Sequence, residues 1–335
     1  MNQYASNSIT RNTNETRPGR ERGLTSKTSL PKIEVIIPTL NEEQTIEEIL
    51  DDIMNVKLAA SISILVIDGG SSDHTLDICR KRNVDVVQQK GKGKGNAMRE
   101  AVNHTDADLV VFIDGDGTYP VIDMSLLIMP LLEGKADMVI GSRISGKRQK
   151  GAIGGFNALG NKIFNRTINF AMGSSVTDSL SGYRALHRET FNELVLFSDR
   201  FEIEVEITVE AIARGLRILE IPIRYGVRRG SKTKLDPIHD GTNIGRSLLF
   251  ILMNVNPLKF FGLISLSFFA IAFYPAYFIL YEKITMGEIV SIPAVILSSL
   301  LFVTGVFSLV VGLLSELVVR SRRRLEHLIK KKYDT

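Results

Sequence analysis

The segment Asp114-Gly115-Asp116-Gly117-Thr118 has the residue types and spacing to do chemistry. It follows the apolar run 109–113, whose β-rich composition predicts a buried strand. Two carboxylates one residue apart form a hard, oxygen-rich site of the kind Mg²⁺ and Mn²⁺ share with substrate phosphates. The flanking Gly115 and Gly117 let the backbone approach a bound group closely. Asp and Gly are also turn residues, so the segment alone reads equally well as a turn. It lacks the acidic endpoint of an EF-hand loop, which argues against Ca²⁺.

Other candidates follow similar runs. Pro38-Thr39-Leu40-Asn41-Glu42 comes after the strand-like run 33–37, and Asp68-Gly69-Gly70-Ser71-Ser72-Asp73 after 62–67. The Asp68 group suits hydrogen bonds to a nucleobase or ribose, while Ser72 or Asp73 equally suits a helix cap. Lys90-Gly91-Lys92-Gly93-Lys94-Gly95 has no hydroxyl residue after a lysine, which excludes a Walker loop. Lys94 and the N–H groups of a helix start still suit a diphosphate, and a solvated loop suits the same residues. Arg143 follows the apolar run 138–140. Arg228, Arg229, Lys232 and Lys234 cluster around Gly230. Such cations fit a clamp on a departing diphosphate, or a basic surface near anionic lipid. Asp178, Glu202, Glu204 and Glu206 are further sugar-binding or base candidates, with structural pairing as the alternative for each.

These groups need a scaffold that gathers them. Residues 42–56 carry apolar side chains at Ile46, Ile49, Leu50 and Ile53, which predicts a helix. Strands are predicted at 33–37, 62–67, 84–87, 109–113 and 138–140, with further helices starting near Ser72 and over 94–103. This alternation implies an α/β fold, a mainly parallel sheet flanked by helices, over 32–241. Ligands of such sheets bind beyond the carboxyl ends of strands, where the candidate groups fall.

The remainder differs in composition. Residues 260–281 and 289–315 contain no charged side chain, and each run is long enough to span a bilayer as a helix. The predicted architecture after the sheet is a juxtamembrane amphipathic helix over 242–256, a segment that reads equally well as a core helix, then a two-helix transmembrane hairpin, about 258–281 and 289–315. A basic tail over 320–335 holds Arg320, Arg322, Arg323, Arg324, Lys330, Lys331 and Lys332, against Lys283 alone in the linking loop. The positive-inside rule puts both termini and the α/β domain in the cytoplasm. Residues 1–31 are polar, without the apolar core of a signal peptide, and read as a disordered tail. The single cysteine among 335 residues excludes an internal disulfide or a cysteine zinc cluster. A net charge of +4 gives no reason to expect a nucleic-acid partner.

Taken in order, the motifs resemble family 2 glycosyltransferases of the GT-A (Rossmann-like) fold, more closely the dolichol-phosphate mannose synthase group. The series is Pro38-x-x-Asn41-Glu42, Asp68-Gly-Gly-Ser71, Gly93-x-Gly95, Asp114-x-Asp116, Gly141-Ser142-Arg143, Asp178-x-x-Ser181-Gly182-Tyr183-Arg184 and Tyr225-x-x-Arg228 leading to Thr233-Lys234-Leu235. Several segments look closest to archaeal dolichyl-phosphate hexose transferases of protein N-glycosylation. The resemblance implies a base and ribose pocket at Pro38, Leu40, Glu42 and Asp68, with Lys94 and Gly115 also on the nucleotide sugar. It implies metal ligation by Asp114 and Asp116, with Mg²⁺ or Mn²⁺ as cofactor. Arg143, Arg228 and Lys234 match the cations on the donor diphosphate and acceptor phosphate. Mannose synthases carry Gln at the position of Thr118, which bears on a third metal ligand. Gly69 replaces a second carboxylate of the nucleotide motif.

The implied reaction is a single inverting displacement by a dolichyl or other polyprenyl phosphate on a nucleotide sugar, with a UDP-sugar favoured and GDP-mannose as alternative. A phosphate is already an anionic nucleophile, so charge stabilisation rather than a general base is required. Transfer to a sugar hydroxyl with Asp178 or Glu204 as base is a rival expectation. A non-catalytic, membrane-anchored sugar-nucleotide binder is another. The absence of tryptophan excludes the Gln-x-x-Arg-Trp motif of processive polysaccharide synthases.

Overall fold

The computed structural model describes residues 30–147, 149, 155–200, 202–229, 249, 253 and 256–333. Lys234, nearly all of the 242–256 segment and the tail before residue 30 lie outside the described residues. The chain divides into two compact units, Met1–Gly245 and Arg246–Thr335.

The first unit contains β1 (Lys32–Thr39), α1 (Ile46–Met54), β2 (Ser61–Asp68), α2 (Thr75–Lys81), β3 (Asp85–Gln88), α3 (Lys94–Asn103), β4 (Leu109–Phe112), α4 (Met124–Leu132), β5 (Met138–Ser142), α5 (Gly155–Met172), β6 (Arg184–His187), α6 (Arg188–Glu193), α7 (Ile203–Ala213) and β7 (Ile218–Pro222). The sheet has seven strands in the order β3-β2-β1-β4-β6-β5-β7. Only β6 runs against its neighbours, pairing antiparallel with β4 and β5. It was not expected from the sequence. Arg-Ala-Leu-His carries no strand signal, and its first residue is a fully buried arginine.

This topology decides where the motifs go. β1, β2 and β4 are parallel, so the loops after Thr39, Asp68 and Phe112 leave from one rim. Two antiparallel pairings make β5 parallel to β4, which brings Arg143 to that rim. β7 is parallel to β5 and delivers Tyr225 and Arg228 there. Because β6 is reversed, the residues before it, Asp178 to Tyr183, reach the same rim.

Ile46, Ile49, Leu50 and Ile53 of α1 are buried against the sheet, as their spacing requires. The helix starts at Ile46 rather than Glu42. The amides of Asn41 and Glu43 donate instead to Ser71 and Asp73 of the β2–α2 loop (2.9 and 3.2 Å), and that of Glu42 to Thr75 at the start of α2 (2.9 Å). Asn41 takes a left-handed backbone (φ 55°), which asparagine tolerates better than most side chains.

Cys79 on α2 is fully buried, and burial followed by the charge of Asp68 pushes its thiol up to about 11. The native protein is therefore expected to resist a thiol reagent at pH 8 and to react fully once denatured. Stoichiometric labelling of native protein would contradict this packing.

The second unit holds α8 (Pro257–Met286) and α9 (Ile292–Tyr333). The stretches Pro257–Met286 and Ile292–Arg322 are long and apolar enough to cross a membrane, and only 17% and 11% of their most apolar windows are buried. In water such exposure of side chains like Phe273 and Phe307 would be costly; in lipid it is neutral. The helices pass beyond the uncharged runs because a charge does not end a helix. Gly287 does, with φ 75°. Glu282 stays helical and accepts from the N–H groups of Val290 and Ser291 (3.1 and 3.0 Å), closing the turn. Small residues set the close approach: a Cβ at Gly305 would lie 2.7 Å from Phe269, and one at Gly312 2.8 Å from Phe261.

Candidate active site

The acidic loop after β4 is tied down on all sides. Thr118 donates its N–H and hydroxyl to Asp116 Oδ1 (3.1 and 2.6 Å), fixing that carboxylate. Thr118 thus meets the acidic pair as a hydrogen-bond partner of Asp116. Thr45 donates to the Gly115 carbonyl (2.6 Å), and a Cβ at Gly115 would lie 3.1 Å from Thr39. The Gly226 N–H donates to the Thr118 carbonyl (2.9 Å), fastening the segment after β7 to this loop.

Each carboxylate of the pair faces a cation. Arg228 bridges Glu42 (2.8 Å) and Asp116 Oδ2 (3.5 Å). Lys94 Nζ pairs with Asp114 Oδ1 and, at 2.6 Å, with Glu204. Burial alone would lower the Lys94 pKa, but the Asp114 and Glu204 charges outweigh it and hold the ammonium above its ordinary value. Gly182 permits this approach: a Cβ there would lie 2.7 Å from Lys94 Nζ and 2.9 Å from Asp114 Oδ2. Asp114 Oδ2 has no hydrogen-bond partner among the described residues.

The start of α3 is not an open anion site. The Gly95 and Asn96 N–H groups donate to the Asp199 carbonyl (2.8 and 3.2 Å). Gly93 and Gly95 serve that approach, since a Cβ on either would lie 2.3 or 2.2 Å from a carbonyl oxygen of residue 199 or 198. Two of the N–H groups expected to meet a diphosphate at this helix end are therefore already used.

Arg143 is held from one side. Its N–H and Nε donate to Asp178 Oδ2 (2.9 and 2.8 Å) and its Nη2 to Oδ1 (2.8 Å). The guanidinium carbon lies 5.4 Å from the centre of the Tyr225 ring. Nη1 has no hydrogen-bond partner among the described residues. Asp178 is fully buried with both oxygens committed, which is the geometry of a splint rather than a base. Burial opposes the Arg143 charge, but Tyr119 and Asp178 keep its pKa above the ordinary value.

Asp68 is fully buried and accepts from Gly70 N–H (2.8 Å) and from the Ser71 N–H and hydroxyl (3.0 and 2.5 Å), so it organises its own loop. Pro38 is the last residue but one of β1, Leu40 is exposed and Glu42 is buried beneath Arg228. A cleft beside them is lined by Asn41, Glu42, Gln44, Ser72, Asp73 and Arg229, among others. Tyr119, whose hydroxyl accepts from Gly182 N–H (3.0 Å), packs between Tyr183 and Tyr225, tilted against the one and edge-on to the other. Sequence reading missed Tyr119 as a site residue, because an aromatic beside a glycine loop carries no signal of its contacts. The aspartates and the arginine-bearing segments meet on one rim.

Comparison with known proteins agrees with this geometry. The family model for glycosyl transferase family 2 matches residues 34–195. A glycosyltransferase of Haloferax volcanii, AglJ, is 39% identical over 301 residues, covering 88% of this chain and 97% of the relative. The chain belongs to glycosyl transferase family 2. The transferase is also 34% identical over 221 residues to a dolichyl-phosphate hexose transferase of the same organism, covering 65% of this chain and 93% of that one. Glucosyl-3-phosphoglycerate synthase of Mycobacterium tuberculosis, solved with Mn²⁺, UDP-glucose and phosphoglyceric acid, is similar in structure. Its TM-score is 0.56 at 26% identity, covering 66% of this chain and 80% of that one. The sheet of the transferase is thus GT-A like, and the reading as a non-catalytic binder is set aside by these glycosyltransferase relatives.

Proposed function

We propose that this transferase moves a hexose or N-acetylhexosamine from a UDP-sugar to a dolichyl or other polyprenyl phosphate, with inversion at the anomeric carbon. The lipid-linked sugar so formed serves protein glycosylation. One observation carries the reading: a single chain joins a rim of arginines and acidic groups, with Asp178 committed to Arg143, to a hairpin of two membrane-length apolar helices. A lipid phosphate needs no base, whereas a sugar hydroxyl does. The relative named as a dolichyl-phosphate hexose transferase supports the acceptor, and the solved neighbour with UDP-glucose and Mn²⁺ supports donor and metal. By the positive-inside rule, the catalytic unit and both termini are cytoplasmic.

The donor set fits Mg²⁺ or Mn²⁺. No group of three His, Cys, Asp or Glu capable of holding a metal occurs among the described residues, so Asp114 and Asp116 would hold the ion as a pair, in the manner of a hard cation shared with substrate. Bound there, the ion neutralises charge on the leaving diphosphate. Arg143, through Nη1, and Arg228 bind the same diphosphate. Lys234 joins them by the motif it occupies. Pro38, Leu40, Glu42 and Asp68 form the base and ribose side, with Lys94 and Gly115 beneath the donor. Glu204 Oε2, buried without a partner among the described residues, offers an acceptor to a sugar hydroxyl.

The test is a panel of radiolabelled UDP- and GDP-sugars with dolichyl phosphate in detergent. Lipid-soluble label from a UDP-sugar is expected, abolished by EDTA and restored by Mg²⁺ or Mn²⁺. Label from GDP-mannose alone moves the assignment to a mannose synthase, and label on soluble sugars alone overturns the lipid acceptor.

A further inference from the structure

We infer that Glu220, which lies outside every motif above, is a positioning residue for the diphosphate clamp: its buried carboxylate fixes the Thr177–Asp178 turn and, through Asp178, the direction of Arg143. This rests on the reading of Arg143 as a diphosphate ligand.

Glu220 sits within β7, opposite Ile140, and is only 8% exposed. No Lys, Arg or His pairs with it among the described residues. Its carboxylate accepts instead from the Thr177 N–H (3.0 and 2.8 Å), the Thr177 hydroxyl (3.0 Å) and the Asp178 N–H (2.9 Å). Burying an anion without a counter-ion is unfavourable, and burial raises the Glu220 pKa against those hydrogen bonds. A turn alone does not require an anion there. What this anion secures is an acceptor aimed at Arg143, because Asp178 takes three hydrogen bonds from that residue. The Thr177 hydroxyl also meets Ser142 Oγ (2.8 Å) and Ser145 Oγ (3.0 Å), on either side of Arg143 in sequence. Backbone and side chain of Arg143 are therefore both referred to the segment that Glu220 holds. From the other side, Asn165 donates to the Thr177 carbonyl (2.8 Å) and accepts from Ser179 N–H (3.0 Å). With Asn165 in place, loss of the Glu220 charge loosens the aim of Arg143 without unfolding the turn.

The experiment is a double-mutant cycle on the full chain in detergent, reading UDP affinity in the presence of Mn²⁺ by titration calorimetry. Glu220→Gln keeps the shape but turns an N–H toward donors, and about a tenfold loss of UDP affinity is expected, the scale of lost support for a ligand. Arg143→Lys keeps a cation on Asp178 and removes Nη1; in that background Glu220→Gln is expected to cost less than twofold. Equal factors in both backgrounds would show a merely structural residue and overturn the inference. Thr177→Val removes only the bridging hydroxyl and reports the same coupling, about threefold against none, should Glu220→Gln not fold. If the unaltered protein binds no UDP, the reading of Arg143 fails as well, an outcome distinct from binding without coupling.

Discussion

Asp116→Ala is expected to lower transfer by about 10³-fold, roughly 4 kcal/mol of transition-state stabilisation. The side chain has two duties that no neighbour can assume. Oδ1 is occupied by both donors of Thr118, which leaves Oδ2 directed toward Arg228 at 3.5 Å. Alanine removes one of the two carboxylates proposed for the metal and takes from Arg228 one of its two carboxylate partners among the described residues. The fold should tolerate the change, because Arg228 keeps Glu42 at 2.8 Å. The measurement is lipid-soluble label per unit time beside a melting curve. More than a tenth of normal activity in a folded variant would remove Asp116 from the mechanism. Thr118→Val, which deletes only the orienting hydroxyl, belongs about tenfold below the native rate.

Lys94→Met is expected to act first on stability. Lys94 is the only cation within ion-pair distance of Asp114 and Glu204 among the described residues, and its side chain is 9% exposed while that of Glu204 is 4% exposed. Methionine fills similar space but leaves two carboxylates facing each other without the ammonium that pairs with both. Breaking a buried pair from one side costs about 3–5 kcal/mol, which for a unit of this size lowers the melting temperature on the order of 10 °C. Differential scanning calorimetry reads the shift. Added Mn²⁺ is expected to recover more of the melting temperature in this variant than in the native protein, because it supplies the missing positive charge at Asp114. An unchanged melting temperature would mean the pair contributes nothing to the fold.

Several elements were legible because their signals are local. The period of Ile46, Ile49, Leu50 and Ile53 fixed the buried face of α1, and the range 94–103 expected for α3 is the helix observed. The start of α1 was misjudged because Glu42 and its neighbours spend their amides on a loop about thirty residues away, which no window of sequence contains. The role of the glycines near Lys94 was likewise hidden. Gly-Lys-Gly-Lys-Gly suggests a phosphate cradle, yet the space that Gly93 and Gly95 leave is filled by the chain at Ser198 and Asp199.

Composition and order alone determined the family, the acidic pair, the cations and the two apolar runs, because residue type and spacing along the chain are themselves the evidence for each. Only the tertiary structure decided how the charges are matched: Lys94 with Asp114 and Glu204, Arg228 with Glu42 and Asp116, Arg143 with Asp178, and Asp178 with Glu220 behind it. Nearly all of these pairings join residues far apart in the chain. The reversed strand β6 and the parallel strands around it bring them to one rim, and a sequence records neither strand order nor direction.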